Sequence, residues 1–335
     1  MSPLSSINKC LNFICFPWKN KKCTGKKIAG WIAFFSIGWI YHPLKATKRC
    51  YKKIKTLDKS FTIWQKVFSQ DSITKTLASF NNPHVADQIY GIYITTNETN
   101  LATIYQKLSA HPRPNHGAKT IHIGCAAWYN FDMMVQRNSN YGLIIDFNPQ
   151  NAKFIEKTME IIQSSGTREI FKQKMIHYLN SLHGKQRELF FHEDQQGLPT
   201  DRIEKELSRE GSWLENEKSY LFIQKLVSRG AIIPITEDLS HYETFAKIRN
   251  TLDRHDIVID TLYLSNVSNF IAEDQKASFT KSVKQLLNKE SLFINCPKFL
   301  YRSTGHVKTL QQQAYLGKEI LENSCGTTKL FEYIL

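Results

Sequence analysis

"YGLIIDFNPQN", Tyr141 to Asn151, is the stretch on which the reading of this chain turns. Tyr141 to Ile145 is an aliphatic run of strand type. It ends on the carboxylate of Asp146, and Asn148-Pro149 then opens a helix, with Pro at the first helical position and Asn before it as start signals. A buried strand has no need of an acid at its end, and an unpaired carboxylate there is costly. Asp146 must therefore have a use.

Outward from that stretch the same alternation recurs. Strand-like runs stand at "KTIHIG", "AIIPIT", "IVIDTLYLS" and "SLFIN", and helical patterns lie between them, at about 149–164, in "ENEKSYLFIQKLVSR", "HYETFAKIRNTL" and "FTKSVKQLLN". The tail "KLFEYIL" also reads as a strand. Strands separated by helices of this length predict a parallel sheet covered on both faces, an α/β, Rossmann-like doubly wound architecture. Residues 61–117 read as a helical extension broken at Asn81-Asn82-Pro83 and near Thr95-Thr96-Asn97. The predicted organisation is a basic, hydrophobic segment over 1–60, a helical cap over 61–117, and a body over 118–335 with a helical insertion at about 165–215.

Charge separates the first segment from the rest. The chain of 335 residues carries a net +14, and Met1 to Lys66 holds 14 Lys/Arg against one acid, Asp58, so +13 of that charge sits there. The body is near neutral, which argues against a nucleic-acid groove on it. "IAGWIAFFSIGWIYHPL", Ile28 to Leu44, has no charged residue and is flanked by lysines on both sides. That is short for a bilayer span, which needs about 20 residues, and it suits a hairpin or interfacial helix with Trp31 and Trp39 at headgroup level. Pro43 and a basic cluster stand where a signal peptide would have its cleavage site. We expect a membrane-associated N-terminus, with a helix packed on the body as the alternative. The seven cysteines form no CxxC pair, which points to a reducing compartment and away from a zinc site. Cys10, Cys15, Cys23 and Cys50 lie in the basic segment, where free thiols or acylation are the readings.

In an open parallel sheet, ligands bind beyond the carboxyl ends of the strands where strand order reverses. The residues predicted there are Gly124, Cys125 and Ala126 after the first strand, Asp146 and Asn148 after the second, Glu237 and Asp238 after the third, and Ser265 and Asn266 after the fourth. An acid ending the second strand, about twenty residues beyond a turn containing Gly, is placed to accept hydrogen bonds from ribose hydroxyls. The alternative is a carboxylate capping the next helix, although Asn148 could cap without it. Ala126 stands where a dinucleotide site needs a second Gly, and no GxxxxGK[ST] is present. A nucleoside cofactor without phosphates, S-adenosylmethionine, tolerates that turn better. His183, His192, Glu193 and Asp194 could supply a base or metal ligands, and read more simply as a solvated insertion face.

"YGLIIDFNPQN", "SWLENEKSYLFIQKLVSRGAIIPITEDL" and "VIDTLYLSNVSNFI", in this order, resemble a group of bacterial proteins with a class I S-adenosylmethionine-dependent methyltransferase-like fold. The resemblance covers about Thr120 to Cys296. It implies a cofactor cleft lined by Gly124, Asp146, Asp238, Ser265 and Asn266; with the membrane-associated N-terminus, the expected methyl acceptor is small or lipid-associated. Two other readings stand beside methyl transfer. One is a catalytically idle interaction protein or secreted effector, with Glu319, Glu322, Glu332 and the terminal "YIL" as a secretion signal into a host cell. The other is a nicotinamide-dependent reductase using the same ribose acid.

Overall fold

The computed structural model describes residues 71–85, 94–96, 98–114, 117–182, 199–296, 299–300 and 309–322. The chain divides into two units, Met1–Lys66 and Val67–Leu335, and all described residues belong to the second. The readings made of the N-terminal segment, of His183, His192, Glu193 and Asp194, and of Glu332 and the terminal strand lie outside them.

The aliphatic runs form five parallel strands, β1 (Lys119–Cys125), β2 (Tyr141–Asp146), β3 (Ile232–Thr236), β4 (Ile257–Ser265) and β5 (Leu292–Asn295). Two-residue strands β6 (Phe299–Leu300) and β7 (Thr309–Leu310) pair with each other, and β8 (Gln313–Leu316) joins the main sheet antiparallel to β5. The order is β3-β2-β1-β4-β5-β8, a mixed α/β sheet of Rossmann-like type. Near-continuous apolar runs are what strands buried on both faces require, and β2 is buried from Tyr141 through Ile145.

Helices are α1 (Ser72–Ala78), α2 (Leu101–Ala110), α3 (Tyr129–Arg137), α4 (Pro149–Gln163), α5 (Arg168–Asn180), α6 (Pro199–Ser208), α7 (Glu217–Ser228), α8 (Tyr242–Arg254), α9 (Lys276–Gln285) and α10 (Gly317–Glu322). One face of the sheet is covered by α3, α4 and α7, and the other by α8 with α1 and α9. Side-chain caps follow the start signals: Asn148 Oδ1 accepts from Gln150 N–H at α4 (2.9 Å), and Asn216 Oδ1 from Ser219 N–H at α7 (3.0 Å).

Between α3, α4, α5 and α7 lies an aromatic core. Trp128 stacks on Phe154 at 5.7 Å and meets Trp213 edge-on at 5.7 Å, while Phe131 meets Trp213 edge-on at 5.0 Å. Buried aromatics bring large apolar area, and such paired geometries add to it. The Gly of "YGLIID" lets α3 approach the sheet, since a Cβ at Gly142 would stand 2.3 Å from the Met134 methyl carbon.

Two buried ionic groups fasten the layers. Asp132 on α3 takes Trp213 N–H (2.7 Å), Tyr105 O–H (3.1 Å) and Arg209 Nη2–H (2.7 Å), and Arg209 also serves Glu206. Burial pushes the Asp132 carboxyl up to about 7, against the pull of Arg209 and with a further push from Glu206. Arg137, at the end of α3, forms a bidentate pair with Asp260 on β4 (2.7 and 2.6 Å) and donates to the carbonyls of Leu108, His111 and Pro112. Among the described residues no helix is long and apolar enough to cross a membrane.

Candidate functional site

Chain order reverses between β1 and β4, so the crevice to read lies outside the carboxyl ends of those two strands. On the β1 side the chain turns through Ala126, whose φ of 69° is left-handed. Non-Gly residues rarely hold that conformation, and where they do the surroundings must enforce it. Two contacts enforce it here. Asn130 Nδ2 donates to the carbonyls of Cys125 and Ala127 (both 2.8 Å), and Ala126 N–H donates to Asp146 Oδ2 (3.1 Å).

Asn130 is itself held from below. Its Oδ1 lies 2.9 Å from His122 Nε2, and His122 Nδ1 lies 2.7 Å from Thr261 Oγ1. An amide oxygen only accepts, so His122 carries its proton on Nε2 and takes the Thr261 hydroxyl on Nδ1. Burial lowers His122 to about 4, which keeps the ring neutral. Gly124 belongs to this staple: a Cβ there would stand 2.0 Å from Asn130 Oδ1. The sequence reading placed Gly124 in the cofactor turn, and within the fold its missing side chain makes room for Asn130.

Asp146 is the centre of the β2 side. Its Oδ1 accepts from Asn148 N–H (2.8 Å), and its Oδ2 accepts from both Ala126 N–H and Asn151 Nδ2–H (2.8 Å). A carboxylate has about four acceptor directions. Three are taken by protein donors, and among the described residues no fourth donor reaches Oδ1 of this half-buried side chain. Burial raises the carboxyl, and the donors from Asn148, Asn151 and Ala126 pull it back. The acid therefore ties the β1 turn to the start of α4, while Asn148 does the capping. Its neighbour Phe147 is exposed.

Just after β3, Glu237 is buried and turned to the start of α8, receiving His241 Nδ1 (2.8 Å), Thr244 Oγ1 (3.2 Å) and Asp238 N–H (2.8 Å). Asp238 is half-buried and takes Ser240 N–H on Oδ1 (2.7 Å). Of this acidic pair, Asp238 is the less buried member.

The β4 end holds a residue the sequence reading missed. Ser265 is left-handed (φ 51°), next to a shift in the β4–β5 register, and its hydroxyl donates to Glu98 Oε1. Glu98 also takes Tyr263 O–H (3.0 Å) and Gln312 Nε2–H on Oε2. It is 5 % exposed, and burial pushes its carboxyl up against the pull of these donors. Burial raises the Cys125 thiol, and Asp146 and Glu98 raise it further. Asn266 lies beside Ser265, its Oδ1 3.3 Å from the hydroxyl.

The structure thus gathers Cys125, Ala126, Asp146, Asn148, Ser265 and Asn266 with Glu98 along adjacent strand ends. It sets Asp238 one strand further out. Among the described residues no group of three or more His, Cys, Asp or Glu is gathered so as to hold a metal ion. A family model described as a domain of unknown function matches residues 93–313. A comparison with curated proteins gave no match.

Proposed function

The chain belongs to that family, DUF7790, and from the carboxyl edge of its sheet we propose that it binds a nucleoside cofactor without phosphates, S-adenosylmethionine, as a class I methyltransferase-like protein. The observation that carries this is the Ala126 turn at the strand-order reversal, with its amide held by the acid that ends β2. Ala126 puts a Cβ where a pyrophosphate would need close backbone approach, which favours a cofactor lacking one. Asp146 keeps one acceptor direction for a ribose hydroxyl, Asp238 offers a carboxylate on the adenine side, and Ser265 and Asn266 stand on the acceptor side. The antiparallel strand beside β5 supports the finer fold reading. Bound there, the cofactor would supply a methyl group on a positively charged sulfur, and the protein's share is alignment. The acceptor class we propose is small or lipid-associated, because we place membrane affinity in residues 1–60.

A second reading, a scaffold retained for interaction, is favoured by one observation. Glu98 and the residues around it lie over the β4 end of the same crevice and already occupy the Ser265 hydroxyl.

Titration calorimetry of the whole protein separates these. S-adenosylhomocysteine should bind with micromolar affinity and NAD should not. Preferential binding of NAD would support a reductase, and binding of neither would leave the scaffold.

The membrane proposal has its own test. Basic residues near an anionic surface contribute about 1 kcal/mol each, so the full chain should float with anionic vesicles and a chain beginning at residue 61 should not. Equal flotation of both would defeat it.

A further inference from the structure

The stretch through Ile94, Thr95 and Glu98 to Asn100 runs along the carboxyl edge from β1 past β4 to the start of β8. Trp128 N–H donates to the Ile94 carbonyl (3.1 Å), and Gln312 N–H to that of Thr99 (3.2 Å). Asn100, left-handed at φ 70°, sends its Nδ2–H to the Gln312 carbonyl (3.2 Å), and Thr95 Oγ1–H bonds Glu206 (2.6 Å). In the middle stands Glu98 with Ser265, Tyr263 and Gln312.

What holds this stretch down is mostly polar. Of its described residues only Ile94 enters the main apolar core. Its central anchor is a buried carboxylate that, among the described residues, has no ion pair. Such a group is expensive to bury and depends on every donor it has. One donor, Ser265, is supplied by a residue held in a strained conformation, a feature that clusters at switch and ligand sites. A segment with few apolar contacts and a costly anchor opens at lower free energy than the sheet beneath it.

We infer that this stretch is a strap closed over the switch-point crevice, that Glu98 is its latch on Ser265 and Tyr263, and that access to the crevice follows the latch. The inference rests on the nucleoside reading only for the identity of what enters. A ligand approaching the Ser265–Asn266 side must displace Glu98 from the hydroxyl it holds. On this proposal opening the strap also exposes the Cys125 thiol, which is 4 % exposed at the end of β1 and shares the main core with Ile94.

The thiol gives a readout that needs no ligand. In the full-length protein, alkylation of Cys125 by N-ethylmaleimide is followed by peptide mass spectrometry, and amide exchange in β3 reports the stability of the sheet. Glu98→Ala and Glu98→Gln should each speed modification of Cys125 by about ten-fold or more, because charge-assisted hydrogen bonds to the latch are lost, with β3 exchange unchanged. An unchanged rate at Cys125, or a rise matched by β3, would overturn the latch. S-adenosylhomocysteine should bind several-fold more tightly to Glu98→Ala. Equal affinity in parent and variant, with Cys125 opened, would overturn the gating. If neither protein binds the nucleoside, the nucleoside reading fails, and the Cys125 rates still decide the strap.

Discussion

Replacing Arg137 by methionine should lower the thermal midpoint more than any other single change considered, on the order of 10 °C. The guanidinium and Asp260 are 2 % and 1 % exposed, and the same side chain satisfies the carbonyls of Leu108, His111 and Pro112. Removing one partner of a buried pair leaves the other charge uncompensated, at about 3–5 kcal/mol. For a chain of this size each kcal/mol moves the midpoint by roughly 2–4 °C. Arg137 joins the end of α3, the β4 strand and the loop that follows α2, so three elements lose their common anchor. Pairing the change with Asp260→Leu should recover much of the loss, because replacing both charges by apolar groups is often near neutral. Scanning calorimetry on the two single variants and the double completes the cycle. A midpoint for Arg137→Met equal to the parent's would contradict this account, as would a double variant no more stable than either single one.

That anchor could not be read from the chain, because its partners are 123 residues apart and neither sits in a recognisable pattern. The parallel strands could be read, for a physical reason. A strand buried on both faces must be apolar throughout, so β1 to β5 stand out as aliphatic runs between helix signals. The antiparallel β8, Gln313-Ala314-Tyr315-Leu316, escaped notice. It is a half-exposed edge strand of four residues with no such run, and it owes its place to pairing with β5.

The candidate site divides in the same way. Because ligands gather at strand ends, the residue positions followed once the strands were placed, and Ala126, Asp146 and Ser265 do lie along one edge. Their contacts within the fold did not follow. Gly124 was expected in the cofactor turn, and its missing side chain serves Asn130. Glu237 was expected to line the cleft, and it faces the first turn of α8. Glu98 lies 167 residues from Ser265 in a stretch, "TNETN", that the sequence marks only as a break in the helical pattern. Side-chain destinations across the fold are set by tertiary packing, on which local patterns carry no information.

Asp146→Ala should change stability and nucleoside affinity together, and the structure sets the size of both effects. Read from sequence, the acid offered two hydrogen bonds to a ribose and little to the fold. With three protein donors already on the carboxylate, the first falls to one and the second grows. One charge-assisted hydrogen bond is worth about 1.5–3 kcal/mol, so S-adenosylhomocysteine affinity should drop roughly ten- to hundred-fold. Ala126 N–H, Asn148 N–H and Asn151 Nδ2–H lose their acceptor at the same time. Water reaches this half-buried edge and replaces part of what is lost, leaving a destabilisation of about 2–3 kcal/mol. Asp146→Asn keeps a carbonyl oxygen for Asn148 and should cost less stability while still weakening the nucleoside, since the charge is gone. Affinities are measured well below the lower of the two midpoints, so that unfolding does not pass for weak binding. If both variants melt earlier and bind S-adenosylhomocysteine as the parent does, Asp146 is a structural tie between the β1 turn and α4, and the ribose must be held elsewhere.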